Sequence, residues 1–290
     1  MSLLANTVPA SAAGLNVVVD DDLRCPGASF TNLQDAINFV GSTPGTITVC
    51  PGFYRGESQI VNAHNLKVIG KKGAVISPSF ATSPLFTGVL LNVFNSTNVT
   101  VQGFTFDGLG ALQNFGDPNA IEYFDSSGTI QKNTVLNWHR VGFRRPDNIN
   151  GKPVGLLHSI HAIGFAVTRA PVKIANNTIT NYQERGIDVE GNLVVTITGN
   201  TLTAGLPPGD PSDTFTFAIL LQPAGLHGLA SPIGLVKGNT ITGHGGSSGD
   251  HAIDLGIFAL QVGSLKVVGN TLTHVVVGIS FSAGCASPAD

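Results

Sequence analysis

From Ile130 onward the chain repeats one short alternation of apolar and polar residues. The segments IQKNTVLNW (130–138), VKIANNTITNY (172–182), VTITGNTLTAG (195–205), LVKGNTITGHG (235–245) and LKVVGNTLTHV (265–275) align without gaps. Each alternates, passes through an Asn-Thr pair, and alternates again for a further triplet. A period of two marks a strand with one buried face. The pairs begin at Asn133, Asn177, Asn200, Asn239 and Asn270, and the shortest step between them is 23 residues. Longer steps read as the same unit carrying an inserted loop, and such insertions fall at 107–119, 137–161, 204–215 and 243–251.

A second strand precedes the units at a nearly fixed interval. It reads LLNVF (90–94), AIEYF (120–124), FAVT (165–168), GIDVE (186–190), AILLQ (218–222), AIDLG (252–256) and GISFS (278–282). Ile187 lies 13 residues before Asn200, while Ile121 and Phe165 lie 12 before Asn133 and Asn177. Three short strands and three turns fill a unit of this length. The pattern therefore predicts an all-β parallel solenoid of about eight coils, on the order of 40 Å long at the usual strand spacing. Asparagine tolerates the left-handed backbone. The five junction asparagines are expected to turn one strand into the next and to bond along the axis as a ladder, a structural role.

A solenoid exposes its core at its ends unless something covers it. TNLQDAINFV (31–40) predicts a capping helix at the N-terminal end, with Leu33, Ala36, Ile37 and Val40 on one face. Thr31 and Gln34 stand in a capping-box pattern there. Residues 1–15 are expected to form a disordered N-terminal segment, and 16–290 a single domain.

FTNLQDAINFV followed by TITVCPGFYRG resembles the opening of many secreted parallel β-helix proteins, and the GNTIT repeats are similar to their coils. The resemblance covers nearly the whole chain. It is to the pectate-lyase-like superfamily of single-stranded right-handed parallel β-helices, and it implies that fold. It also implies substrate along the outward face of the first strand of each coil, walled by the loops after the third. Lyases, glycoside hydrolases, esterases, epimerases, adhesins and phage spikes share the architecture, so the fold does not choose a chemistry. GHGGSSG (243–249) resembles the GHG element of polygalacturonases, but the accompanying Asn-Thr-Asp, paired-Asp and Arg-Ile-Lys motifs are missing, which leaves His244 as a turn residue. The opening resembles pectin methylesterases, without their downstream Gly-Asp-Phe element.

Composition narrows the partners. With 42% hydrophobic and only 11% charged residues, a net charge of −3 and 36 glycines, the chain has material for a long core but no basic stripe. Nucleic acid is thereby disfavoured as a partner. No apolar run approaches the ~18 to 20 residues of a membrane span. ASAA near the start resembles the small-residue end of a secretory signal, and an ordinary floppy N-terminus is the alternative reading. Cys25 and Cys50 flank the predicted helix and the strand after it. A disulfide there would pin the helix and imply an oxidising compartment; two reduced buried cysteines are the alternative. Cys285 is left without a partner and reads as inert.

The candidate chemistry lies on the outward face. If Ile187 and Val189 point in, Asp188 and Glu190 point out. The same column counted along the rod reads Asn92, Glu122, Ala166, Asp188, Leu220, Asp254 and Ser280. Glu122, Asp188 and Asp254 then sit on alternate coils, about 9 to 10 Å apart. Such a spacing suits an inverting glycosidase; Ca²⁺ chelation and a plain solvated strand face are the other readings. No cofactor and no metal residue are assigned, and Ca²⁺ is an ion that the acids could chelate. The insertion HRVGFRRPDNINGKPVGLLHSIH adds His139, Arg140, Arg144, Arg145, His158 and His161, and Arg185 directly precedes the Gly186–Glu190 strand. Arginine forks match carboxylates, so a uronate-bearing sugar is a sensible ligand.

The leading expectation is a secreted carbohydrate-active enzyme, a lyase or hydrolase of an acidic polysaccharide. In it Glu122, Asp188 and Asp254 serve as acid, base or metal-binding groups, Arg185 and Arg144 hold the substrate carboxylate, His161 or His139 assists proton transfer, and Glu190 borders the substrate. The alternatives are a non-catalytic adhesin or spike-like module, and an isomerase or cyclase working on an apolar small molecule in a pocket lined by Phe94, Phe124 and Leu220. The partner is thus a polysaccharide or a small-molecule ligand, and the fold suits a monomer or a trimer.

Overall fold

The structure, a computed structural model, describes residues 14–79, 88–110, 117–139, 148–149, 152–153, 156–205, 215–224, 230–245 and 253–282. Alternating segments of the kind above cannot bury their apolar sides alone, and here they do so by stacking. Three sheets, of ten, eight and eight parallel strands, run along the rod; from Gly45–Val49 onward consecutive strands belong to different sheets, apart from the short antiparallel pair Asn148–Ile149 and Lys152–Pro153. The ten-stranded sheet includes Gly128–Gln131, Ala170–Ala175, Leu193–Thr198 and Ile233–Lys237. A second sheet carries the segments after the Asn-Thr junctions, among them Thr134–Trp138, Thr178–Tyr182, Thr201–Ala204 and Thr240–Thr242.

The third sheet positions the site. Its strands are Ser58–Val61, Val89–Phe94, Asn119–Phe124, His158–Gly164, Arg185–Gly191, Phe215–Gln222, Ile253–Leu260 and Val277–Ser282. All four long insertions enter this sheet, each joining a strand of the second sheet to the next strand of the third. Inward residues of the three sheets meet in one continuous core, with Tyr123, Trp138, Tyr182 and Phe106 among its largest members.

One strand differs from expectation. FAVT (165–168) is not the strand of its coil; His158–Gly164 is. All seven residues of that strand are buried, so it carries no polar-apolar alternation to find, whereas Val167 of the expected segment is 98% exposed. A strand covered on both faces loses the period-two signal.

The ladder is as expected in its bonds and different in its backbone. The Nδ2 of Asn133, Asn177, Asn200 and Asn239 each donates to the Oδ1 of the next asparagine at 2.9–3.2 Å, ending at Asn270. Each Nδ2 also reaches a strand carbonyl, as Asn200 does at Ile174. The left-handed residue at each junction is the one before the ladder asparagine: Lys132, Asn176, Gly199, Gly238 and Gly269, with φ between 54° and 63°. The turn and the ladder are thus two adjacent residues with separate tasks.

The helix spans Leu33–Val40 and buries the four apolar residues the pattern placed on one face. Its N-cap is Asn32, whose side chain accepts from the N–H groups of Gln34 and Asp35, so the Thr31–Gln34 capping box does not form. Gln34 turns its amide to the sheet instead, accepting from Gln59 N at 2.6 Å and donating to Gln59 O at 3.1 Å. A backbone pair on an edge strand offers that amide two bonds. Cys25 and Cys50 are joined by a disulfide, with Cα atoms 6.4 Å apart. Among the described residues no helix is long and apolar enough to cross a membrane.

Candidate functional site

Strand register, and not residue counting, decides which side chains meet. Down the third sheet the paired column reads Gln59, Asn92, Glu122, His161, Asp188, Leu220, Phe258 and Ser280. The expected column is right at Asn92, Glu122, Asp188, Leu220 and Ser280, and wrong at two places. His161 stands where Ala166 was expected, because the strand begins earlier in the insertion. Phe258 stands where Asp254 was expected, a slip of four residues. The alternation breaks between them: Leu255 and Phe258, three residues apart, pair through Phe217 and Leu220 with Arg185 and Asp188, so counting by twos misplaces Asp254.

Glu122, His161 and Asp188 therefore come from three adjacent strands, and Arg185 and Glu190 join them from the Asp188 strand itself. Arg185 Nη1 donates to Asp188 Oδ2 and lies 3.5 Å from Glu190 Oε1. It also reaches His158 Nε2 at 3.2 Å. His158 Nδ1 sits 2.7 Å from Asn119 Oδ1, an acceptor, which assigns the proton to Nδ1 and leaves Nε2 to accept from the guanidinium. Asn119 Nδ2 in turn donates to Glu122 Oε2 at 3.2 Å. His161 stacks on His158 with ring centres 4.5 Å apart, and its ring lies between two carboxylates. Nδ1 is 3.7 Å from Glu122 Oε1 and Nε2 is 3.6 Å from Glu190 Oε1. Both gaps are ion-pair distances and too long for hydrogen bonds. Gln222 Nε2 donates to Glu190 Oε1 at 2.9 Å from the following strand.

The cluster is dry but not sealed. The Asp188 side chain has no exposed surface, while Glu122 and Glu190 keep 13% and 16%. Burial pushes the Asp188 carboxyl up to about 6; Arg185 and His161 pull the other way, and Glu190 adds to the rise. Burial by itself would lower the His161 imidazole, but Glu122 and Glu190 at its two nitrogens, with Asp188 nearby, raise it to about 10. Glu190 is also disfavoured as an anion by burial, yet His161, Arg185 and Gln222 outweigh that and hold it below the ordinary carboxylate range. Two carboxyl groups two residues apart on one strand are thus driven in opposite directions by their surroundings.

The other expected residues fall elsewhere. Asp254 is buried beside His244, whose Nδ1 lies 2.6 Å and whose backbone N lies 2.8 Å from Asp254 Oδ2. His244 is therefore half of a buried acid–imidazole pair and more than a turn residue. His139 follows the Thr134–Trp138 strand and packs over Gly110, where an added Cβ would come 2.7 Å from its ring. Arg140, Arg144, Arg145 and Cys285 lie outside the described residues. Phe94 and Phe124 do point outward, but with Phe165 they form an open strip, ring centres 5.3 and 5.5 Å apart, and Leu220 is buried in a different column. The three do not line one closed pocket. Sequence reasoning missed Asn119 and Gln222, whose roles depend wholly on register, and left His158 without one.

The sequence matches a family model described as a right handed beta helix region over residues 119–289. No curated protein matches it. Among solved structures it is similar to Escherichia coli YbhC, with a TM-score of 0.58 and 9% identity over 92% of this chain and 75% of that one. It is also similar to pectin methylesterase from carrot, at 0.52 and 11% over 96% and 86%. A pectin methylesterase in complex with a hexasaccharide gives 0.50 and 13% over 88% and 81%. At these identities the likeness concerns the fold alone.

Proposed function

Since the chain belongs to the right-handed β-helix family, we propose that it is a secreted carbohydrate-active enzyme, a lyase or hydrolase of an acidic polysaccharide. One observation carries the reading. Three carboxylates, two imidazoles and a guanidinium from adjacent strands converge on the outward face of the third sheet, at the level where the longest insertion enters. Acid–base groups gathered in a dry patch are what proton transfer at a sugar ring needs. Glu122 and Glu190 are the carboxylates that keep some exposed surface and would meet the ligand, Arg185 holds Asp188 in place, and His161 carries positive charge between them. Phe124 lies on the same strand face as Glu122, two residues on, so the Phe94–Phe124–Phe165 strip offers apolar ring faces beside the acids. The solved structures named above include a pectin methylesterase in complex with a hexasaccharide, and the disulfide suits an extracellular protein. On this reading the rod has about eight coils, the helix closes its N-terminal end, and Arg144 and His139 border the substrate.

The test is turnover by Asp188→Asn and Arg185→Ala on whichever glycan the wild-type protein cleaves. A fall on the order of 10²-fold or more is expected in each. Wild-type rates in both variants would remove the chemistry from this cluster.

A further inference from the structure

We propose that His161, Asp188 and Glu190 bind one divalent transition-metal ion. One donor atom from each lies within 4.8 Å of the other two, and His161 and Asp188 are buried. On the Glu190 side His161 Nε2 is buried without a hydrogen-bond partner, and so is Asp188 Oδ1, although its sister oxygen is bonded to Arg185. Buried polar atoms are nearly always satisfied, and orphans gathered at one point mark a missing partner. The separation of His161 Nε2 from Glu190 Oε1, 3.6 Å, is too long for a hydrogen bond. It is close to the roughly 3.0 to 3.5 Å that two ligands show when each binds one ion at ~2.1 Å.

Charge and surroundings agree. Among the described residues Glu122, Asp188 and Glu190 face one fixed cation, Arg185, and with it a divalent ion in place of the imidazole proton would balance the three carboxylates. Glu122 at His161 Nδ1 is where a carboxylate stands when it orients a metal-bound histidine, while Arg185 and Gln222 fix the two ligand carboxylates. One imidazole with two carboxylates suits zinc, manganese or cobalt, whereas calcium takes six or more oxygens. The other close group of acids, Asp20, Asp21 and Asp22, has no such gap. Its members already accept from Cys25 N and Phe53 N and pair with Arg24.

The inference needs no substrate, so it stands or falls apart from the glycan reading. Full-length protein is stripped with EDTA and titrated with Co²⁺, following the visible absorption of the bound ion, then with Zn²⁺, Mn²⁺ and Ca²⁺ by calorimetry. One ion per chain is expected, with Ca²⁺ weakest by at least tenfold. His161→Gln and Glu190→Gln should each weaken binding tenfold or more while far-UV circular dichroism stays that of the folded protein. Wild-type protein that binds none of the three transition-metal ions below millimolar overturns the proposal. So does stoichiometric binding that both folded variants retain.

Discussion

At the residue scale the rod is held by side chains whose partners lie in other coils. Asn200 serves four groups: its Nδ2 donates to Ile174 O and Asn239 Oδ1, and its Oδ1 accepts from the backbone and side-chain N–H of Asn177. Asn200→Ala leaves buried groups above and below unsatisfied, which should cost about 3 kcal/mol in a urea melt. A change below ~0.5 kcal/mol would mean that the ladder does not form. The three tyrosines of the chain report on the same core. Burial, helped by the carboxylate of Asp21, pushes Tyr54 up to about 12, and burial pushes Tyr123 and Tyr182 higher still. A raised folded-state value means that Tyr54 contributes stability fully present below pH 10 and lost as pH rises through about 12. Absorbance at 295 nm should therefore show almost no tyrosinate in the folded protein at pH 10, and a conventional curve once it is unfolded in urea. Half-ionised tyrosine at pH 10 in the folded protein would contradict this packing. The ladder asparagines were legible as residues because they repeat, but their backbone task was not. The left-handed turn belongs to the neighbour, and composition does not separate Asn176 from Asn177.

At the element scale, periodicity found what it was able to see. Strands with one wet face, such as Leu193–Thr198, announce themselves by alternation. His158–Gly164, covered on both faces, did not, and with it went the position of His161 opposite Glu122 and Asp188. The Asp254 slip has a different cause: register is set by pairing with the previous coil, and the alternation breaks at Gly256, where counting by twos goes astray. Thus Asp188, Arg185 and Glu190 were readable because one strand carries all three, while the cluster they form with Glu122 and the two histidines was not. The helix teaches the same lesson about ends. Its apolar face was plain, but its cap is Asn32, because Gln34 is taken up by the backbone of Gln59. Asn32→Ala should cost ~1 kcal/mol, and Thr31→Ala should cost less than a third of that. Equal effects would restore the capping box.

On the scale of the whole molecule, stacking makes one continuous face out of short elements. Each coil contributes one or two outward side chains to the third sheet, and parallel pairing sets them at strand spacing along the axis. A row of polar side chains from Gln59 to Asp188 then runs beside a row of phenylalanines, which is the arrangement a chain of sugars lying along the rod would use. The fold was legible because a repeat states it several times over, whereas the site is stated once. The most direct measurement of the central claim is to incubate the protein with acidic and neutral polysaccharides, recording absorbance near 235 nm and reducing ends together. A rise in reducing ends on an acidic glycan is predicted, with a rise at 235 nm if the bond breaks by β-elimination and without one if it is hydrolysed. Silence in both signals across the panel, with metal supplied, would contradict the assignment of this cluster to polysaccharide cleavage.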